Sequence, residues 1–327
     1  MIGAERIGVA FLGEPAVPEM VRVAKRAEAL GYESVWVAET RFARDGFVPA
    51  AAIAAATECV KVSTGVVNVF TRSPVLLATS YATLDELSGG RAIFGIGPGS
   101  PLVLGPQGHA FERPLTRLRE YVEISRRLIS GQAVHYEGEC VSVRGVRLEF
   151  SPVRASIPVY MGVTGPRAMG LVGEISDGVL MNGFTSCAYV RRSVEKIRAG
   201  CERAGRSIDE IDLAIGLVTS VDERAEIARD RVRPLIAMYL SRFPNIACET
   251  GYGEDYLARV REKVSEGGLA GGAALISDEI VDDLAVAGTP ERVRERIAEY
   301  REAGVQCPVL FAVGPDLDAT LEAPLGA

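Results

Sequence analysis

The chain is poor in histidine. Its 327 residues include only His109 and His135, which disfavours both a histidine-rich metal site and a Ser-His-Asp triad. The six cysteines (Cys59, Cys140, Cys187, Cys201, Cys248 and Cys307) are scattered, with no Cys-x-x-Cys pair. That pattern supplies neither a zinc site nor a disulfide framework, and it suits thiols in a reducing cytoplasm. No bound metal is expected. No apolar run reaches the ~20 residues of a membrane span. The start, Met1-Ile2-Gly3-Ala4-Glu5-Arg6, lacks the basic and then apolar segments of a signal peptide. Long basic runs are also missing. Asp+Glu number 43 against 36 Lys+Arg, a formal net charge of −7, so no nucleic-acid partner is expected. Finally, no Gly-x-Gly-x-x-Gly follows the first strand candidate, which runs into Phe11-Leu12-Gly13-Glu14-Pro15. A Rossmann dinucleotide domain is therefore disfavoured.

What is present is regular. Apolar residues make up 48% of the chain, enough for a large core. Strand candidates at 6–11, 34–38, 60–67, 91–95, 157–161, 178–181, 212–218 and 305–313 alternate with helical segments. Pro74 in a first turn, Gly89-Gly90 after a last turn and Thr289-Pro290 at a helix start punctuate the pattern. Strand–helix alternation implies parallel strands with right-handed crossovers. Eight such units in a chain of this length predict a single α/β domain over 1–327, a (β/α)8 TIM barrel. Two insertions interrupt it, a hairpin near 133–150 and a glycine-rich stretch at 241–287. A doubly wound open sheet is the alternative.

In a barrel the chemistry sits at the carboxyl ends of the strands. Those ends are rich in glycine here and poor in titratable groups. The segment 157–183 is the most informative, reading strand, glycine loop, helix, strand, glycine loop. Gly162, Val163, Thr164, Gly165 and Pro166 either bring backbone N–H groups close to an anion at a helix start or simply make a tight turn. Gly97-Pro98-Gly99 and Asn182-Gly183 end two further strands, and Glu39 is the one carboxylate placed clearly at the rim. Such a rim is badly equipped for hydrolysis. It suits an organic cofactor that carries the reactivity while the protein orients it.

At this point the residues resemble a family. Ser63-Thr64-Gly65-Val66, Arg72-Ser73-Pro74, the run Ala82–Ala92, Gly95–Gly99, Ile157–Gly162, Gly165-Pro166, Gly173–Gly178 and Gly288-Thr289-Pro290 are similar to the bacterial-luciferase-like superfamily. Within it the chain resembles the coenzyme F420-dependent branch, and there the methylenetetrahydromethanopterin reductases. The resemblance covers nearly the whole chain in the same order. It implies a luciferase-like barrel, usually a homodimer, that holds the deazaflavin at the strand ends. Gly65-Val66 would be a non-prolyl cis peptide against the cofactor ring. Gly162–Pro166, with Asn182 and Gly183, would hold the cofactor's phosphate and side chain, and Gly97, Pro98 and Gly99 would line the ring or tail. Asp85 and Arg91 would pair across the turn between the third helix and the fourth strand.

The departures from that branch lie at the mouth. The pterin reductases carry a carboxylate where this chain has Ala10, a Gln where it has Thr164, and Asp-His where it has Glu39-Thr40. The expectation is therefore retention of F420 with a different small organic substrate. Glu39 and Thr40 are the catalytic candidates. Two alternatives stand beside this reading. One is an FMN-dependent luciferase-like monooxygenase, to whose chemistry His109 could contribute. The other is a catalytically degenerate flavin-binding barrel. The 241–287 stretch, with Phe243, Tyr252 and Tyr256, would supply a lid.

Overall fold

In the computed structural model residues 6–39 and 42–326 are described. Eight parallel strands close on themselves. They are β1 (Gly8–Phe11), β2 (Ser34–Val37), β3 (Lys61–Thr64), β4 (Ala92–Gly97), β5 (Val159–Met161), β6 (Gly178–Met181), β7 (Asp212–Val221) and β8 (Cys307–Ala312). Each pairs with the next, and β8 pairs with β1 through Val309↔Gly8 and Leu310↔Val9. Eight helices return the chain: α1 (Val17–Ala29), α2 (Phe47–Ala56), α3 (Pro74–Leu87), α4 (Pro114–Ile129), α5 (Pro166–Ile175), α6 (Cys187–Ala204), α7 (Ala225–Arg242) and α8 (Pro290–Glu302). The open-sheet alternative is excluded by this closure. The third strand candidate proves shorter than its β-branched run: pairing stops at Thr64 and resumes only over Val67–Asn68, beside β4.

Large and small side chains complement one another inside the barrel. Trp36, Tyr160, Leu180 and Phe311 are buried there. A Cβ on Gly216 would lie 2.3 Å from the Phe311 ring, and one on Gly178 would lie 2.7 Å from the Tyr160 ring. These glycines make the volume into which the aromatic rings fit. The amino-terminal end is closed by charge. Arg6 bridges Glu33 (2.5 Å) and Asp212 (Nη1–Oδ1 2.9 Å), Lys61 reaches Glu33 at 2.6 Å, and the Tyr160 hydroxyl donates to Asp212.

Both insertions form. The first is an antiparallel hairpin, Val134–Glu137 with Ser142–Val146. The buried Glu120 of α4 fastens it by accepting the N–H groups of Glu139, Cys140 and Val141. The second is largely helical. It carries a long helical stretch, Glu254–Ala273, broken at Gly267 and Gly268, and a three-residue strand, Val286–Gly288, paired to the overhang of β7. One apolar cluster runs from Trp36 and Leu180 in the barrel through Val232 and Ile236 of α7 to Leu257 and Val260.

The expected Asp85–Arg91 pair does not form. Asp85, fully buried, takes Arg154 at 2.5 Å and the Ala92 N–H at 3.1 Å. Arg91 turns the other way and donates to the carbonyls of Ala54, Thr57, Val60 and Ser88. The carboxyl end of α2 leaves carbonyls without helical partners, and a guanidinium with five donors satisfies several at once.

Candidate active site

The carboxyl ends of the strands form the mouth. The Gly65-Val66 peptide is cis, as the resemblance implied. The Val66 side chain points into a slot between two neighbouring strands. A Cβ on Gly97 would lie 2.7 Å from Val66 Cγ2 and 2.6 Å from the Gly162 carbonyl, and a Cβ on Gly162 would also lie 2.7 Å from Val66 Cγ2. Gly65 rests over Leu180 and Trp36, at 3.3 and 3.5 Å by the same measure. Gly65, Val66, Gly97 and Gly162 therefore come together as one wall, floored by the barrel's own aromatics.

The remaining candidates spread around that wall. Gly99 leaves it and packs beside Asn68 and Leu104. Pro98 lies between Gly97 and Gly99, partly exposed. Val163 is buried and Thr164 half-buried. Gly165, at φ +87°, begins α5 with Pro166 in its first turn, and no side chain caps that end. Gly183 packs against Gly216 and Val218 of β7. The Asn182 carbonyl accepts from the Thr185 hydroxyl. Thr40 lies outside the described residues.

Glu39 stands at the rim and is fully engaged. One oxygen accepts from Arg72 at 2.5 Å and the other from the Gly46 N–H at 3.0 Å. Arg72 also bonds Asp45 and lies 5.4 Å over the Phe47 ring. Beyond β6 three rings form an aromatic wall: Phe184 meets Tyr239 at 4.5 Å, and Tyr239 stacks on Phe243 at 4.8 Å. Tyr252 and Tyr256 do not join this wall. Their hydroxyls donate to Asp283 and to the Leu275 carbonyl. His109 sits past the turn Gly105–Gln107, with its N–H on the Leu104 carbonyl.

Three residues near the mouth carried no local sequence signal. Glu249, beyond the short helix Pro244–Ala247, brings Oε1 to 3.9 Å from where a Cβ on Gly165 would stand. Arg192 donates to the Glu249 carbonyl at 2.8 Å. Tyr189, in the first turn of α6, is buried with its hydroxyl unpaired. Their meeting depends on how the second insertion folds back, which no spacing reports. Among the described residues no group of three or more His, Cys, Asp or Glu is placed to hold a metal.

The model of the luciferase-like monooxygenase family matches residues 4–307. The chain belongs to this family. Among its luciferase-like relatives, 5,10-methylenetetrahydromethanopterin reductase of Archaeoglobus fulgidus is 34% identical over 97% of this chain and 96% of its own. The F420-dependent glucose-6-phosphate dehydrogenase of Amycolatopsis mediterranei is 26% identical, with coverage of 93% and 91%. The solved coenzyme F420-dependent tetrahydromethanopterin reductase of Methanopyrus kandleri superposes with a TM-score of 0.89. It is 28% identical and covered at 98% of this chain and 97% of its own. The luciferase-like resemblance read from the motifs is thus borne out, as is the barrel.

Proposed function

We propose that the protein is a coenzyme F420-dependent oxidoreductase that passes a hydride between F420 and a small organic substrate, an enone, imine or alcohol, distinct from methylenetetrahydromethanopterin. The observation that carries the reading is the wall made by Val66 in its slot between Gly97 and Gly162, over Trp36 and Leu180. A rigid apolar wall above a filled barrel suits a flat ring. The similar proteins of Amycolatopsis mediterranei and Methanopyrus kandleri are named as F420-dependent enzymes. When bound, F420 supplies the hydride chemistry of its deazaflavin. The chain's own residues position the ring and exclude water. Val66 would back the ring, Gly97 and Pro98 would line one side with Gly99 just beyond, and Gly162–Pro166 with Asn182 and Gly183 would hold the phosphate and side chain. The small side chains are required there, because a Cβ on Gly97 or Gly162 would strike Val66. Phe184, Tyr239 and Phe243 would add an aromatic wall.

Glu39 and Thr40 remain our catalytic pair, with Glu39 acting through position. Its salt bridge to Arg72 ties the loop after β2 to the segment that leads into α3. Ala10, buried on β1, offers no carboxylate to a pterin. Fluorescence titration with F420 and with FMN tests the cofactor. Micromolar F420 affinity with little for FMN supports the reading, and an FMN preference moves the protein to the monooxygenases. Reduction of methylenetetrahydromethanopterin at a rate typical of the reductases would overturn the substrate claim.

We also propose that a second copy covers the outer faces of α2 and α3. The ten residues of α2 carry no charge, and Val48 (67% exposed) and Leu76 (51%) stand on this side. Exposed apolar side chains on neighbouring helices suit a contact between copies. Light scattering at a dimer's mass, and a monomer's mass for Val48→Glu with Leu76→Glu, is the expected result. All six cysteines are free and no described helix is long and apolar enough to cross a membrane, which fits the cytoplasmic placement we favour.

A further inference from the structure

We infer that Glu249 is a built-in rival of the cofactor's phosphate at the start of α5, and that the buried Tyr189 hydroxyl is a hydrogen-bond donor the phosphate gains there. This rests on the reading that the loop after β5 receives that phosphate. Four observations converge on the spot. The ten-residue helix α5 begins at Gly165 without a side-chain cap, so its first N–H groups lack side-chain acceptors. Pro166 has no N–H of its own, which leaves the next residues as the donors.

The second observation is Tyr189. It is 1% exposed. Its hydroxyl lies within hydrogen-bonding reach of the Gly165 backbone and the Ser193 side chain, but no contact of regular hydrogen-bond geometry satisfies it. Leaving such a group without a well-formed hydrogen bond in a dry interior is unfavourable. A ligand oxygen at the α5 start would remove that penalty.

The third is the Glu249 carboxylate, which stands over the same turn. Its side chain is 21% exposed, so water screens it only in part. The fourth is Arg192, which holds Glu249 in place. Its guanidinium donates to the Glu249 carbonyl at 2.8 Å and lies 3.8 Å from the carboxylate. A phosphate in the turn meets a like charge in Glu249 and an opposite one in Arg192. Glu249 therefore holds the affinity below what the turn, Tyr189 and Arg192 would give alone. A hydride carrier shared between enzymes must leave after each turnover, and a resident carboxylate favours its release.

The test compares F420 with its phosphate-free deazaflavin core, ring plus ribityl chain, by fluorescence titration at low and high salt. Glu249→Gln should tighten F420 by about tenfold at low salt and less at high salt, while affinity for the core stays unchanged. Tyr189→Phe should weaken F420 by about tenfold, again without effect on the core, and should leave the melting temperature unchanged or higher. If either variant leaves F420 affinity at the wild-type value while the wild type still prefers F420 to the core, this inference falls and the F420 reading stands. If the wild type binds the core as tightly as F420, the phosphate does not sit in this loop, and that part of the proposed function falls with it.

Discussion

The two ends of the barrel are built from opposite materials. The amino-terminal end is a charged lattice. Arg6 lies between Glu33 and Asp212, Lys61 is on Glu33, and Tyr160 is on Asp212. The carboxyl end around the candidate ring wall is mostly glycine and backbone, with Val66 locked among its neighbours. Charges at the first end satisfy one another and leave no group free for chemistry. Glycines at the second satisfy nothing beyond shape, and so leave room and N–H groups for a ligand. The difference teaches that in this fold stability and binding are supplied by separate residues, which can be perturbed separately.

The largest expected effect breaks the mouth. Gly162→Ala drives a methyl into Val66, a stiff β-branched side chain that cannot turn aside. F420 affinity should fall by at least about tenfold in a titration, with about 2 kcal/mol of lost stability by denaturant unfolding. Adding Val66→Ala should restore the stability without restoring the affinity. If the double variant binds normally, the Val66 wall does not contact the cofactor.

At the other end, Arg6→Ala removes the guanidinium that two carboxylates share. The side chain is 39% exposed, so solvent screening limits the loss to about 1–2 kcal/mol. F420 affinity should not change. A shift in affinity there would show that the two ends are coupled.

The smallest effect sharpens the same contrast through pH. Burial alone would raise the Glu33 carboxyl, but hydrogen bonds from Arg6 and Lys61 hold it below the usual carboxylate range. A carboxyl depressed in the folded state contributes stability that is complete above its unfolded value, about pH 4.3, and lost as pH falls through the folded value. Melting temperature should therefore drop below about pH 4 in the wild type, and the drop should be shallower in Arg6→Ala.

Several parts of this architecture were legible before the fold was seen. The helix Pro74–Leu87 and the strands at 34–37 and 178–181 carry their limits in local chemistry: proline at a first turn, glycine after a last one, short apolar runs. The strand Val286–Gly288 does not. Three residues without alternation become a strand only because β7 is ten residues long and overhangs the barrel. The Asp85 partner differs from the expected one for a related reason. Arg91 is near in sequence, but the α2 carbonyls claim it, and Arg154 arrives from 69 residues away.

The candidate site divides in the same way. Glu39 and the glycine loops were visible as residues at strand ends. That Gly97 and Gly162 make a slot for Val66, or that Glu249 and Tyr189 meet at the start of α5, was not. The sequence by itself determined the eightfold alternation, the closing helices and the glycine-rich, charge-poor mouth, because periodicity and turn chemistry act within a few residues. The tertiary structure alone decided which side chains meet. Pairing across strands depends on barrel closure and register, and contacts from an insertion depend on where it folds back.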